Sequence, residues 1–216
     1  VGDVFWLLLM GHLLGDFVLQ TSRIARFKNF KVKALLLHCL IIFGAELMAI
    51  LFMWTVYSLF LVFLLTCSHF FVDYIKLKLK HVSFTKGGYY FLIDQSLHIF
   101  FIFWIALFIP QEKTLIPAGI AIALVVVVLN SYFSDILFYL FSPRSREQLY
   151  RRNYPDYILR GISFFPFLIH LLWGIGYLFI AFFALLRYEQ NKKMVLQKCL
   201  FTLLVNMLFL FIWRRY

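Results

Sequence analysis

The stretch GHLLGDFVLQ, residues 11–20, places His12, Asp16 and Gln20 four residues apart inside an otherwise apolar run. Its flanks read as a membrane span, so each of the three polar residues needs a reason to be there. The whole chain supports the membrane reading. Of 216 residues 63% are hydrophobic and only 14% charged, with a mean hydropathy of +0.88. A soluble domain cannot hide that much apolar surface, whereas a helical bundle in lipid need not. Several runs approach the ~20 apolar residues that cross a bilayer. They lack the period-two alternation of an outer-membrane barrel. The fold class is therefore all-α, a polytopic transmembrane helix bundle.

About seven spans are expected, near 4–20, 34–53, 55–75, 90–109, 117–141, 161–185 and 195–213, with Pro166 bending the sixth. They form a single transmembrane domain over 1–216, with the polar motifs in 1–109 and a helical extension in 110–216. Lysine and arginine orient it. Residues 21–33 carry Arg23, Arg26, Lys28, Lys31 and Lys33; residues 76–89 carry Lys76, Lys78, Lys80 and Lys86. Residues 142–160 carry Arg144, Arg146, Arg151, Arg152 and Arg160, and the chain ends Arg214, Arg215. Opposite lie Lys113 and a connection with Arg187, Lys192, Lys193 and Lys198. The expected topology has the N-terminus outside and the C-terminus cytoplasmic. The net charge of +11 is then a topology signal, and no basic segment is long enough for a nucleic-acid domain. The 142–160 loop mixes Arg with Tyr, as an interfacial segment on anionic lipid does. Cys39, Cys67 and Cys199 lie in apolar segments, form no CxxC pair and read as core residues.

The polar stripe of the first span recurs. HFFVD holds His69 and Asp73, and DQSLH holds Asp94 and His98. Each pair is spaced i, i+4, so both side chains share one helix face. The order inverts with span direction, which puts every Asp nearer the cytoplasm and every His about one turn deeper. His38 joins this layer from the second span. Glu46 lies on the same face as His38 but deeper, as a proton-relay group or a partner for a buried donor. Gly11 and Gly15 form a GxxxG that lets another span approach closely.

A buried aspartate costs about 2.5–3.5 kcal/mol on insertion scales, and three would also repel one another. A divalent cation removes both problems. His12, Asp16, His38, His69, Asp73, Asp94 and His98 are the candidate ligands. Nitrogen and oxygen donors of this kind suit Zn first, then Mn or Fe. Seven exceed the four that one zinc accepts, so either two ions bind or some of the seven support the others. Gln20, Gln95, Asp135 and His170 are candidates for that supporting role.

The order H-x-x-G-D-F-x-x-Q (12–20), His38, H-x-x-x-D then Lys (69–76) and D-Q-x-x-H (94–98) resembles bacterial membrane proteins of domain-of-unknown-function family 3307, over about residues 5–105. More distantly it is similar to predicted membrane-bound metal-dependent hydrolases. The resemblance implies a bacterial cytoplasmic membrane and no established activity. From the residues, the expected function is metal-dependent hydrolysis of a lipid-linked ester or phosphoester near the cytoplasmic leaflet, with Asp16 or Asp94 taking the proton. No G-x-S-x-G nucleophile motif is present. The alternative is a metal-ion transporter, or a metal-sensing or structural membrane protein without catalysis. Membrane lipids are the expected partners.

Overall fold

The computed structural model describes residues 2–79, 87–110, 114–142, 150–188 and 191–216. Lys80, Lys86, Lys113, Arg144 and Arg146, used above for orientation, lie outside the described residues. So do residues 143–149 of the proposed interfacial segment. Among the described residues every regular element is helical. Helix α1 (Gly2–Leu13) runs on as a π-helical segment, Leu14–Leu19. Then come α2 (Ser22–Phe27), α3 (Val32–Ala49), α4 (Val56–Lys78) and α5 (Gly88–Phe108). Helix α6 (Ala118–Val128) passes through a second π turn, Leu129–Phe133, into α7 (Ser134–Phe141). The chain closes with α8 (Tyr154–Gly161), α9 (Phe164–Ile169), α10 (Leu171–Tyr188) and α11 (Lys192–Trp213). Six helical stretches are long and apolar enough to cross a membrane, and their ends fall within a few residues of six of the expected spans.

The boundaries have local causes. Thr55 caps α4 reciprocally with Ser58, satisfying two amides that would otherwise be orphaned at the helix start. Gly87 precedes α5 with φ +104°, a conformation that glycine alone adopts without cost.

The chain divides into two compact units, Val1–Ala121 and Ile122–Tyr216. In the first, α1, α3, α4 and α5 form a ring in which each packs on the next and α5 closes on α1. The close approach expected of Gly11 and Gly15 is to α3. A Cβ on Gly11 would stand 2.8 Å from the Ala45 carbonyl oxygen, and one on Gly15 would stand 3.0 Å from the Ile42 Cα. The ring is apolar outside and polar inside. Leu40, Met48, Phe60, Phe71, Phe100 and Trp104 are exposed, while His12, His38, His69, Asp73, Asp94 and His98 are buried. That inversion is stable only with lipid around it.

In the second unit the sixth expected span, 161–185, is not one helix. The chain breaks at His170, which is extended (φ −160°, ψ 141°). Pro166, in the first turn of α9, has no N–H for the Ile162 carbonyl, and the helix is also interrupted at Ile162–Ser163, between α8 and α9. Helix α10 then folds back along α9. A Cβ on Gly174 would lie 2.3 Å from the Phe167 ring, so glycine is required there. Farther along the hairpin, Leu159 packs against Leu185, Val195 and Cys199. Helix α11 runs antiparallel to α6–α7, since Asn206 meets Asn130 and Lys198 meets Asp135. The chain therefore enters α11 from the end at which α7 finishes. Ser142 and Asn191 line the same cleft, of about 600 Å³. A single sixth crossing would have put them at opposite ends.

Candidate metal centre

The polar interior of the first unit has two tiers. The outer tier, toward the connections 20–31 and 79–87, holds the aspartates, and two lysines reach into it. Lys28, just past α2, places its Nζ 3.2 Å from Asp16 Oδ1, 3.0 Å from Asp73 Oδ2 and 2.9 Å from His38 Nε2. Lys76 places its Nζ 2.8 Å from Asp94 Oδ2 and 3.9 Å from Asp73 Oδ1. Gln95 donates to Asp16 Oδ2 at 3.2 Å. Burial of Lys28 favours loss of its proton, but Asp16, Asp73 and Asp94 outweigh burial and hold its pKa above the ordinary lysine value. These lysines, counted above as loop charges, are the built-in counterions of the aspartates. The relief that a divalent cation was expected to give the three carboxylates is available to them from Lys28 and Lys76.

The inner tier is histidine. The rings of His69 and His98 stack with centroids 4.2 Å apart. His12 lies 5.1 and 5.2 Å from them. Hydrogen bonds assign the tautomers. Gln20, with its carbonyl toward His38, accepts from His38 Nδ1 at 3.0 Å and from Lys28 at 3.2 Å. His38 Nε2 is then an acceptor, and His69 Nε2 donates to it at 3.1 Å. That leaves His69 Nδ1 as a bare lone pair, and it has no hydrogen-bond partner. His98 Nε2 and both nitrogens of His12 also lack one. The nearest acid to His12 is Glu46, fully buried, at 3.4 Å from Nδ1.

Three groups of potential ligands have their donor atoms within 4.8 Å of one another: His12, His69 and His98; His38, His69 and Asp73; and Asp73, Asp94 and His98. The second already has the Lys28 ammonium against His38 and Asp73. The third has Lys76 on both aspartates. Among the described residues no lysine or arginine is paired with the three histidines, yet they present unpartnered, buried nitrogens. Buried polar atoms without partners are costly. A tetrahedral zinc with Zn–N of about 2.0–2.1 Å needs nitrogens about 3.3 Å apart, so the group must contract by up to roughly 1.5 Å. The residues fit one ion, at His12, His69 and His98. Asp94 Oδ1, also unpartnered, lies 3.8 Å from His98 Nε2.

The π-helical segment Leu14–Leu19 lies between the tiers on α1. His12 lies just before it, in α1, and Asp16 lies within it. Gln20 meets His38, and Gln95 meets Asp16. Asp135 and His170 do not serve this centre. Asp135 gives one oxygen to Lys198 and the other to the hydroxyls of Tyr150 (2.8 Å) and Tyr157 (3.1 Å), all in the second unit. The His170 ring is exposed and accepts from the Leu172 amide at 3.2 Å.

Around Asp135 the second unit builds a polar network that sequence reasoning did not anticipate. Arg160, fully buried, clamps Asp156 through Nε and Nη2, both at 2.6 Å, and also binds Ser134 and the Asn130 carbonyl. Lys198 bridges Asp135 and Asp156. Burial raises the Asp156 pKa, but Arg160 and Lys198 outweigh it and hold the carboxyl below its usual range. Two acids and two bases cancel. The available signal was Asp156 and Arg160 at i, i+4, together with Lys198 beside an apolar run.

The chain belongs to the family described as "Protein of unknown function (DUF3307)", which matches residues 4–126, more than half of its length. Comparison with curated proteins and with solved structures found no match. The matched segment contains every histidine and aspartate of the two tiers, Glu46, Lys28 and Lys76. The network around Arg160 lies beyond it.

Proposed function

We propose that this DUF3307 member is a metal-dependent membrane hydrolase of the bacterial cytoplasmic membrane, acting on a lipid-linked ester or phosphoester at the leaflet its basic loops face. The observation that carries this reading is the set of unpartnered nitrogens on His12, His69 and His98, in an interior where Asp16, Asp73 and Asp94 already have Lys28 and Lys76. A divalent ion held by the three, Zn before Mn or Fe, would supply a Lewis acid. The chain's own groups provide the rest. Asp94 Oδ1 is unpartnered on the side of His98 and accepts a proton there. Asp16 is a poorer base, because Lys28 and Gln95 occupy both its oxygens; it holds those two side chains in place. Lys76 is the least buried member of the site, 22% exposed, and meets an anionic head group arriving from the leaflet. The apolar exterior of the ring lets a lipid-linked substrate approach sideways.

The test uses purified full-length protein in lipid nanodiscs. Metal analysis should find about one equivalent of a transition metal, lowered by His69→Ala and His98→Ala. Mass spectrometry of bacterial lipid extracts incubated with the loaded protein should show a released head group or chain. Turnover that survives His69→Ala and Asp94→Asn would refute the assignment. Full metal occupancy without turnover on any lipid class, or metal flux in proteoliposomes, would replace hydrolysis by a structural or transport role.

A further inference from the structure

We infer that Glu46 is the positioning residue of this centre: it holds the proton on His12 Nδ1 and so turns the His12 Nε2 lone pair toward His69 and His98. The inference rests on the metal reading above and adds a residue to it.

Three observations support it. Glu46 is fully buried and neither of its oxygens has a hydrogen-bond partner. His12 Nδ1 is 3.4 Å from Oε1, a few tenths of an ångström beyond a made bond. Glu46 belongs to none of the three groups whose donor atoms converge within 4.8 Å, so it faces a ligand rather than the ion. The packing that brings the two together is built into the chain. Gly11 is the neighbour of His12, and a Cβ there would stand 2.9 Å from the Glu46 Cα. Only a glycine lets α1 approach α3 closely enough for the contact. Histidine ligands commonly donate their second N–H to a carboxylate, which fixes the ring and raises its basicity. Losing that partner typically costs 10–100-fold in metal affinity. His69 has its own fixing partner in His38, so Glu46 completes the arrangement for a second of the three histidines.

The experiment is Zn²⁺ competition against a chromophoric chelator, in wild type, Glu46→Gln and Glu46→Leu, with thermal unfolding as a check of the fold. Glu46→Leu should weaken Zn²⁺ binding 10–100-fold. Glu46→Gln keeps an acceptor oxygen and should stay within a few-fold of wild type. In histidine-labelled, Zn²⁺-loaded wild type, ¹⁵N NMR should show His12 protonated at Nδ1 and metallated at Nε2. Equal affinity in Glu46→Leu and wild type, or metallation of His12 at Nδ1, overturns the inference and leaves the metal centre standing. Failure of the wild type to bind Zn²⁺ overturns both. Should Glu46→Leu not fold, the wild-type NMR result alone decides.

Discussion

Lys28→Ala is the substitution that most directly separates a lysine-compensated site from a metal-compensated one. Its ammonium lies 3.0 and 3.2 Å from two buried carboxylates. Among the described residues Asp73 keeps one lysine, the more distant Lys76 at 3.9 Å, with His69 Nε2 at 3.6 Å, and Asp16 keeps no lysine, only the neutral Gln95 amide and His38 Nε2 at 3.3 Å. Removing one partner of a buried ion pair costs about 3–5 kcal/mol, because a charge is left without compensation. For a chain of this size each kcal/mol shifts Tm by about 2–4 °C, so the melting temperature in detergent should fall by roughly 6–20 °C. The same substitution vacates the space between Asp16, His38 and Asp73. The variant should therefore take up one more equivalent of Zn²⁺ than wild type, and saturating Zn²⁺ should restore much of the lost Tm. Scanning fluorimetry with and without Zn²⁺, alongside metal analysis, reads both effects. A variant as stable as wild type without metal would refute the idea that Lys28 is the counterion of Asp16 and Asp73.

Other outcomes follow from the second unit and from the helix contact. Lys198→Met removes from Asp135 the one cation it meets among the described residues and should cost about 3–5 kcal/mol. Asp135→Asn combined with Lys198→Met should recover much of that in a thermal double-mutant cycle, and a double variant worse than either single one would contradict the pairing. Gly11→Leu should lower Tm by at least several degrees, because the new side chain must displace α3 backbone; an unchanged melt would remove the close-approach argument. Because the α9–α10 hairpin returns the chain to the end it left, a topology reporter at Asn191 should share a compartment with one in residues 21–33. A reporter after Tyr216 should lie in the opposite compartment. A cytoplasmic C-terminus with an external Asn191 would restore a single crossing at 161–185.

The spans were legible because an apolar run long enough to cross lipid leaves a helix little alternative. The common depth of the His/Asp pairs was legible because i, i+4 spacing survives any packing. What failed were inferences about where long or reversing pieces go. Lys28 and Lys76 look identical in sequence to Lys31 and Lys78, yet the first two turn inward; only the positions of Asp16 and Asp94 on neighbouring helices decide that. The break at His170 lies beside the Phe167–Gly174 contact, which has no local signature, while Pro166 stands four residues after the interruption at Ile162–Ser163 that separates α8 from α9. Arg187, Lys192 and Lys193 had to be tolerated on an outer connection, whereas the hairpin brings the start of α11 to the end at which α7 finishes. Lys198 was counted with them, although it is a buried partner of Asp135 and Asp156.

The spacing of those ionic partners along the chain bears on how the protein is made. In the first unit Lys28 is synthesised 12 residues after Asp16, and Asp94 only 18 after Lys76. Each charge meets its partner almost as soon as it leaves the ribosome. In the second unit Lys198 follows Asp135 by 63 residues. At about 5–20 residues per second, Asp135 waits roughly 3–13 s for its cation. During that interval the α6–α7 segment has a reason to linger at the lipid–water boundary, and the insertion machinery must hold it there. Translation speed between codons 135 and 198 thus becomes a variable in the yield of correctly assembled protein.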